Sequence, residues 1–104
     1  MVSIDLSGKT ALVTGGSGQL GRVMVRRLAQ AGAAVLVHYN QKGEKAEALV
    51  RELEAAGTRA AAVQADVTDF ESVLHMRDEA ARFGSPDIVV NNAVIQYAWK
   101  DVME

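Results

Sequence analysis

The chain has 104 residues, enough for one compact domain, and its 49% hydrophobic and 23% charged content matches ordinary globular usage, not disorder. A formal charge of -2, with lysines and arginines interleaved among acids, argues against a nucleic-acid surface, and the lack of cysteine removes disulfides and thiolate metal sites. Met1 to Lys9 carries Asp5 and no apolar core, unlike a signal peptide, and no apolar run approaches the roughly 20 residues of a membrane span. A soluble, cytoplasmic protein with neither nucleic-acid nor membrane partners is expected.

In chain order, Thr10-Ala11-Leu12-Val13 is a short apolar run ending at a glycine cluster, which predicts a buried strand. From Leu20 the apolar positions Val23, Met24, Leu28 and Ala31 recur at helical spacing, with Arg22, Arg26 and Arg27 largely off that stripe. Gly32 closes this helix, and Ala33 to Val37 reads as a second strand followed by the polar turn Asn40-Gln41-Lys42-Gly43. A second helix carries the stripe Ala46, Leu49, Val50 and Leu53, with Glu47 four residues before Arg51 on its wet face, and stops at Gly57. Ala60 to Ala65 reads as a third strand, although its alanines carry little periodic signal. Thr68-Asp69-Phe70-Glu71 fits a capping box and opens a third helix, with Phe70, Val73, Leu74, the Arg77 stem and Ala80 directed inward. Gly84-Ser85-Pro86 ends it, and Ile88-Val89-Val90 is the fourth strand.

Alternating strands and helices with short links imply parallel pairing and right-handed crossovers. The expected sheet order is 3-2-1-4, with the first two helices on one face and the third on the other. Past Asn92 the pattern gives no assignment.

The residues Thr14-Gly15-Gly16-Ser17-Gly18-Gln19-Leu20-Gly21 lie between the first strand and the first helix. Glycines there let the chain turn tightly and bring backbone amides, with the positive end of a helix, against a pyrophosphate. A flexible loop is the plain alternative, and the strand–loop–helix context favours phosphate binding. Carboxylates are spread along helix faces, not paired, so a two-acid hydrolase has no support. His75 sits on a helix beside Arg77 and Asp78 and reads as a solvated residue; His38 ends a strand and reads as a spacer near a bound cofactor, not an acid–base group.

Thr14-Gly15 through Gly21, Asp66-Val67 after the third strand and Asn91-Asn92-Ala93 after the fourth together resemble the cofactor-half motifs of the short-chain dehydrogenase/reductase family, from about Leu6 to Ala93. The resemblance implies an α/β fold, the first half of a Rossmann-like parallel sheet with flanking helices, and dinucleotide contacts from Gly15, Ser17, Gly18, Gln19, Leu20 and Gly21. It implies that Asp66 bonds the adenine amino group and that Val67 lies against the adenine ring. Asn91 would brace the sheet, with the backbone from Asn91 to Ala93 near the nicotinamide ribose.

Two features depart from the family pattern. Glycine stands at Gly18 where the main branch has it one place later, at Gln19, a spacing closer to the extended and atypical branches; a side chain at Gln19 requires a turn reshaped around Gly18. Val94 stands where the family usually has glycine.

Cofactor choice turns on charge after the second strand, where an acid would hold the 2′-hydroxyl of NAD and repel a 2′-phosphate. The segment Val37-His38-Tyr39-Asn40-Gln41-Lys42 has no acid, Tyr39 stands near the expected place, and Asn40 and Lys42 can meet a phosphate. NADP is therefore expected ahead of NAD, with Arg22 compensating for the lack of a basic residue at Gly18.

The family's catalytic Ser, Tyr and Lys, with the Lys four residues after the Tyr, are not located here. Tyr97 and Lys100 are three apart and come too early in the family order. The chain is thus expected to be the cofactor half of a ketone or alcohol oxidoreductase, 3-oxoacyl and sugar-derived compounds being candidate substrates, truncated before its catalytic half and inactive alone. A stand-alone nucleotide-binding or self-assembling module is the alternative. Because the order 3-2-1-4 leaves the apolar fourth strand at an edge, a homo-oligomer through that strand or an uncovered sheet face is also expected.

Overall fold

A computed structural model describes residues 5–41 and 43–92. Seven elements alternate: β1 (Thr10–Val13), α1 (Gln19–Gln30), β2 (Ala34–Tyr39), α2 (Gly43–Ala55), β3 (Ala60–Gln64), α3 (Phe70–Phe83) and β4 (Ile88–Val90). The strands form one parallel sheet in the order β3-β2-β1-β4, a Rossmann-like arrangement, as expected. The register pairs Leu12 with Leu36 and Val89, and Leu36 with Ala61, so alternate residues reach opposite faces.

One face, carrying Val13, Val35, Val37 and Ala60, is covered by Val25 of α1 and by Ala46, Leu49 and Leu53 of α2. The other, carrying Leu12, Leu36 and Val63, is covered by Met76 and Ala80 of α3. Burying a side chain the size of Leu36 or Leu49 contributes about 2 kcal/mol. The α2 stripe is as the sequence predicts, with Val50 partly buried. Pairing with β3 carries β2 through His38 and Tyr39, two residues past the expected end. Three successive alanines, Ala60 to Ala62, form β3 because β2 hydrogen-bonds along its length, a cue invisible to periodicity.

Three local expectations are corrected. On α1 the buried residues are Gly21 and Val25, whereas Leu20 and Val23 are exposed. Thr68 does not cap α3: its N–H and hydroxyl both donate to Oδ1 of Asp66, at 2.9 and 2.6 Å, and the cap passes to Asp69, whose carboxylate accepts from the Glu71 N–H at 3.1 Å. Phe70, the first residue of α3, is 75% exposed, Arg77 is exposed, and Met76 takes the inward place. The expected stops do end their helices, Gly32 at φ 102 and Gly57 at φ 89.

Polar groups join the layers. Arg26 of α1 donates twice to the Glu52 carboxylate of α2, at 2.8 and 3.0 Å, and this pairing holds Glu52 below the usual carboxylate range. At the start of β3 the Arg59 guanidinium lies 4.0 Å from the Phe83 ring centroid and donates to the Phe83 carbonyl, tying down the last turn of α3. Ahead of β4, Asp87 donates its N–H to the Thr10 carbonyl at 2.8 Å and accepts from the Thr10 N–H at 3.0 Å.

On the far side of the sheet from β3, β4 has no paired strand among the described residues. Val89 shares the α3 face with Leu12 but is 55% exposed, because α3 packs chiefly against β3, at the other side of the sheet.

Candidate nucleotide-binding site

In a parallel sheet every strand points the same way, so the segments after β1, β2, β3 and β4 gather at one edge. The chain runs outward from β1 in opposite directions, through β2 to β3 and then back to β4, and this reversal opens a crevice at the end of β1. The glycine-rich loop lies in that crevice.

The loop is held from two strands, β2 and β4. Gly15, at φ 64, has the left-handed backbone that favours glycine. Its N–H donates to Nδ1 of His38 at 2.9 Å, and its carbonyl accepts from the Gly18 N–H at 3.1 Å and the Asn92 side-chain amide at 3.2 Å. Gly16 donates to the His38 carbonyl at 2.9 Å. Thr14 donates its N–H and hydroxyl to the Val90 carbonyl at 3.0 and 3.2 Å, and its hydroxyl accepts from the Asn92 N–H at 2.8 Å.

Helix α1 then starts against the loop itself. A Cβ on Gly21 would lie 2.2 Å from the Gly15 carbonyl oxygen, so only glycine allows the approach. Gly18 caps the helix with an extended backbone, φ -75, and supplies no side-chain cap; the first turn carries no acid. Among the described residues the N–H groups of Ser17, Gln19, Leu20 and Gly21 find no acceptor. The contrast with α3 is direct, since Asp69 fills the equivalent place there. A helix end with open donors and no acid is suited to a bound anion.

Gln19 and Leu20 are exposed on the first turn of α1. Tyr39 is half-buried, its ring against Gly43 at the start of α2, and the Asn40 carbonyl accepts from the Gln64 side chain at 3.1 Å. Lys42 and Ala93 lie outside the described residues, as do Val94, Tyr97 and Lys100. Asp66 donates its N–H to the Ser72 hydroxyl oxygen at 2.9 Å, and its carboxyl is held below the usual value by the Thr68 hydroxyl and N–H. Val67 is exposed beside it. Asn91 is exposed, and the bracing bonds on this edge come from Asn92.

Sequence reasoning missed two residues. Asn92 joins β4 to the loop, and His38, 2% exposed, bridges two segments: Nδ1 accepts from Gly15 while Nε2 lies 2.8 Å from the Ala65 carbonyl. The available signal was a histidine at the end of an apolar strand, opposite the glycine loop. His75 is exposed, its Nδ1 lying 3.4 Å from Oε1 of Glu79. Among the described residues no group of three His, Cys, Asp or Glu could hold a metal, and no helix is long and apolar enough to cross a membrane.

The family model described as short chain dehydrogenase matches residues 9–104. The chain belongs to the short-chain dehydrogenase family. A 3beta-hydroxysteroid dehydrogenase 1 of Eggerthella lenta is 48% identical over 95 residues, covering 90% of this chain and 36% of the relative. A 3-oxoacyl-(acyl-carrier-protein) reductase FabG of Staphylococcus aureus is 40% identical over 107 residues, covering 92% of this chain and 44% of that protein. A short chain dehydrogenase from Burkholderia cenocepacia, solved with NADP, superposes with a TM-score of 0.80 at 48% identity, over 86% of this chain and 37% of that one. The chain thus spans less than half the length of these short-chain dehydrogenase relatives.

Proposed function

We propose that this chain is the NADP(H)-binding portion of an oxidoreductase that interconverts a ketone and an alcohol, with 3-oxoacyl compounds as a candidate substrate class. The observation that carries the reading is the set of four open N–H donors at Ser17, Gln19, Leu20 and Gly21, on a helix end with neither acid nor side-chain cap. The pyrophosphate would be held by these donors. Adenine would meet Val67 and Oδ2 of Asp66, the carboxylate oxygen not engaged by Thr68. The 2′-phosphate would meet Tyr39, Asn40 and Lys42, and the nicotinamide ribose the backbone of Asn91 and Ala93. When bound, the dinucleotide supplies or accepts the hydride; the chain's own residues bind and orient it.

The preference for NADP rests on the lack of an acid from Val37 to Lys42 and on Arg22, whose Nε is buried without a hydrogen bond among the described residues. Calorimetric titration is expected to give tighter binding of NADP(H) than of NAD(H). Gly15→Val, which puts a branched side chain at a left-handed backbone beside the phosphates, should abolish both. Tighter NAD(H) binding would reverse the cofactor preference, and no binding of either would sink the proposal.

Self-association is proposed alongside. The exposed Val89 and the side of β4 that no described strand pairs offer an apolar ladder edge that a second copy can close. Light scattering across a dilution series should find a dimer at high micromolar concentration. A particle of monomer mass throughout would reject it.

A further inference from the structure

We propose that His38, as the neutral Nε2–H tautomer, sets the geometry of the dinucleotide loop and so positions it for ligand binding. The inference rests on the binding reading above. His38 is nearly sealed from solvent, and both ring nitrogens have backbone partners of opposite kind. The Gly15 N–H donates to Nδ1, which must therefore be bare, and the Ala65 carbonyl faces Nε2, which must carry the hydrogen. One tautomer satisfies both contacts. An imidazolium would turn an Nδ1–H onto the Gly15 N–H, two donors facing each other at 2.9 Å.

The two contacts join the two parts of the candidate site. Gly15 begins the proposed pyrophosphate loop with a left-handed backbone, and Ala65 immediately precedes Asp66 and Val67, the proposed adenine contacts. A single ring thus spaces one from the other, with the His38 carbonyl holding Gly16 as well.

The test is NADP+ titration of the full chain at about pH 7.5. His38→Leu, folded by circular dichroism, should lose about tenfold in affinity, the scale of a lost buried hydrogen bond. His38→Asn, whose Oδ1 can stand near the position of Nδ1 and accept from Gly15, should recover most of that loss and bind within about threefold of the parent. Nitrogen NMR of the ring, in a His75→Gln background that removes the second histidine, should find Nδ1 bare and Nε2 carrying the hydrogen. No loss in His38→Leu, an equal loss in both variants, or a protonated Nδ1 would overturn the inference while the binding reading stands. No binding by the parent would overturn both.

Discussion

Gly21→Ala should cost about 3 kcal/mol of stability and eliminate dinucleotide binding, the largest effect expected of any one-carbon change in this chain. The added Cβ would meet the Gly15 carbonyl oxygen at 2.2 Å, the Gly16 Cα at 2.8 Å and the Gly15 carbonyl carbon at 2.9 Å. All three are backbone atoms, so no side chain can rotate away. Either α1 lifts off the loop, uncovering Val25, or the loop shifts and breaks the Gly15 bonds to His38 and Asn92. Gly18→Ala is the matched control. Its Cβ would approach nothing nearer than 3.5 Å, and φ -75 suits any residue. Its stability cost should stay below about 1 kcal/mol, that of an unfavourable N-cap residue. Urea unfolding of both variants measures the contrast. A Gly21→Ala cost no greater than that of Gly18→Ala would mean that α1 does not rest on the loop as described.

The second large effect is expected at Leu36, with Leu36→Ala destabilising by about 3 kcal/mol. Leu36 is 2% exposed in the central strand β2 and packs with Leu12, Val63, Ala65, Met76 and Ala80. Among the described residues this face is covered by α3 alone and Val89 on its β4 side is exposed, so few neighbours stand ready to close around the cavity. Urea unfolding decides the matter: a loss under about 1 kcal/mol would show that α3 does not pack on β2 as closely as the contacts imply.

Much of this architecture is legible in the sequence because a parallel α/β sheet is built from local signals. Apolar runs, glycine stops and short links give the elements, and crossover handedness gives the order and the sides of the helices. What escaped the sequence depends on groups distant along the chain or without hydrophobic signal. The sheet-facing side of α1 is set by Gly21 resting on Gly15, which aligns Val25, Leu28 and Ala29 inward. A glycine has no apolar weight, so the apolar pattern alone turned the helix toward Val23. Thr68 and Asp69 are both competent caps, and the choice falls to Asp69, which directly precedes Phe70, the first residue of α3. His38 and Asn92 act on Gly15 across 23 and 77 residues of sequence, and no spacing rule reaches so far.

Those long separations bear on the order in which the protein is made. The loop at Thr14 and Gly15 lies near the start of the chain, yet its ties to Val90 and Asn92 span 76 to 78 residues. Pairings this distant in sequence form slowly, since the entropy of closing the intervening loop must be overcome before any contact rewards it. A nascent chain can therefore fold α1, β2, α2 and β3 while Gly15 still lacks its Asn92 partner. Docking of β4 is the step that finishes the loop, so a segment made well before β4 takes its final form only after β4 is in place.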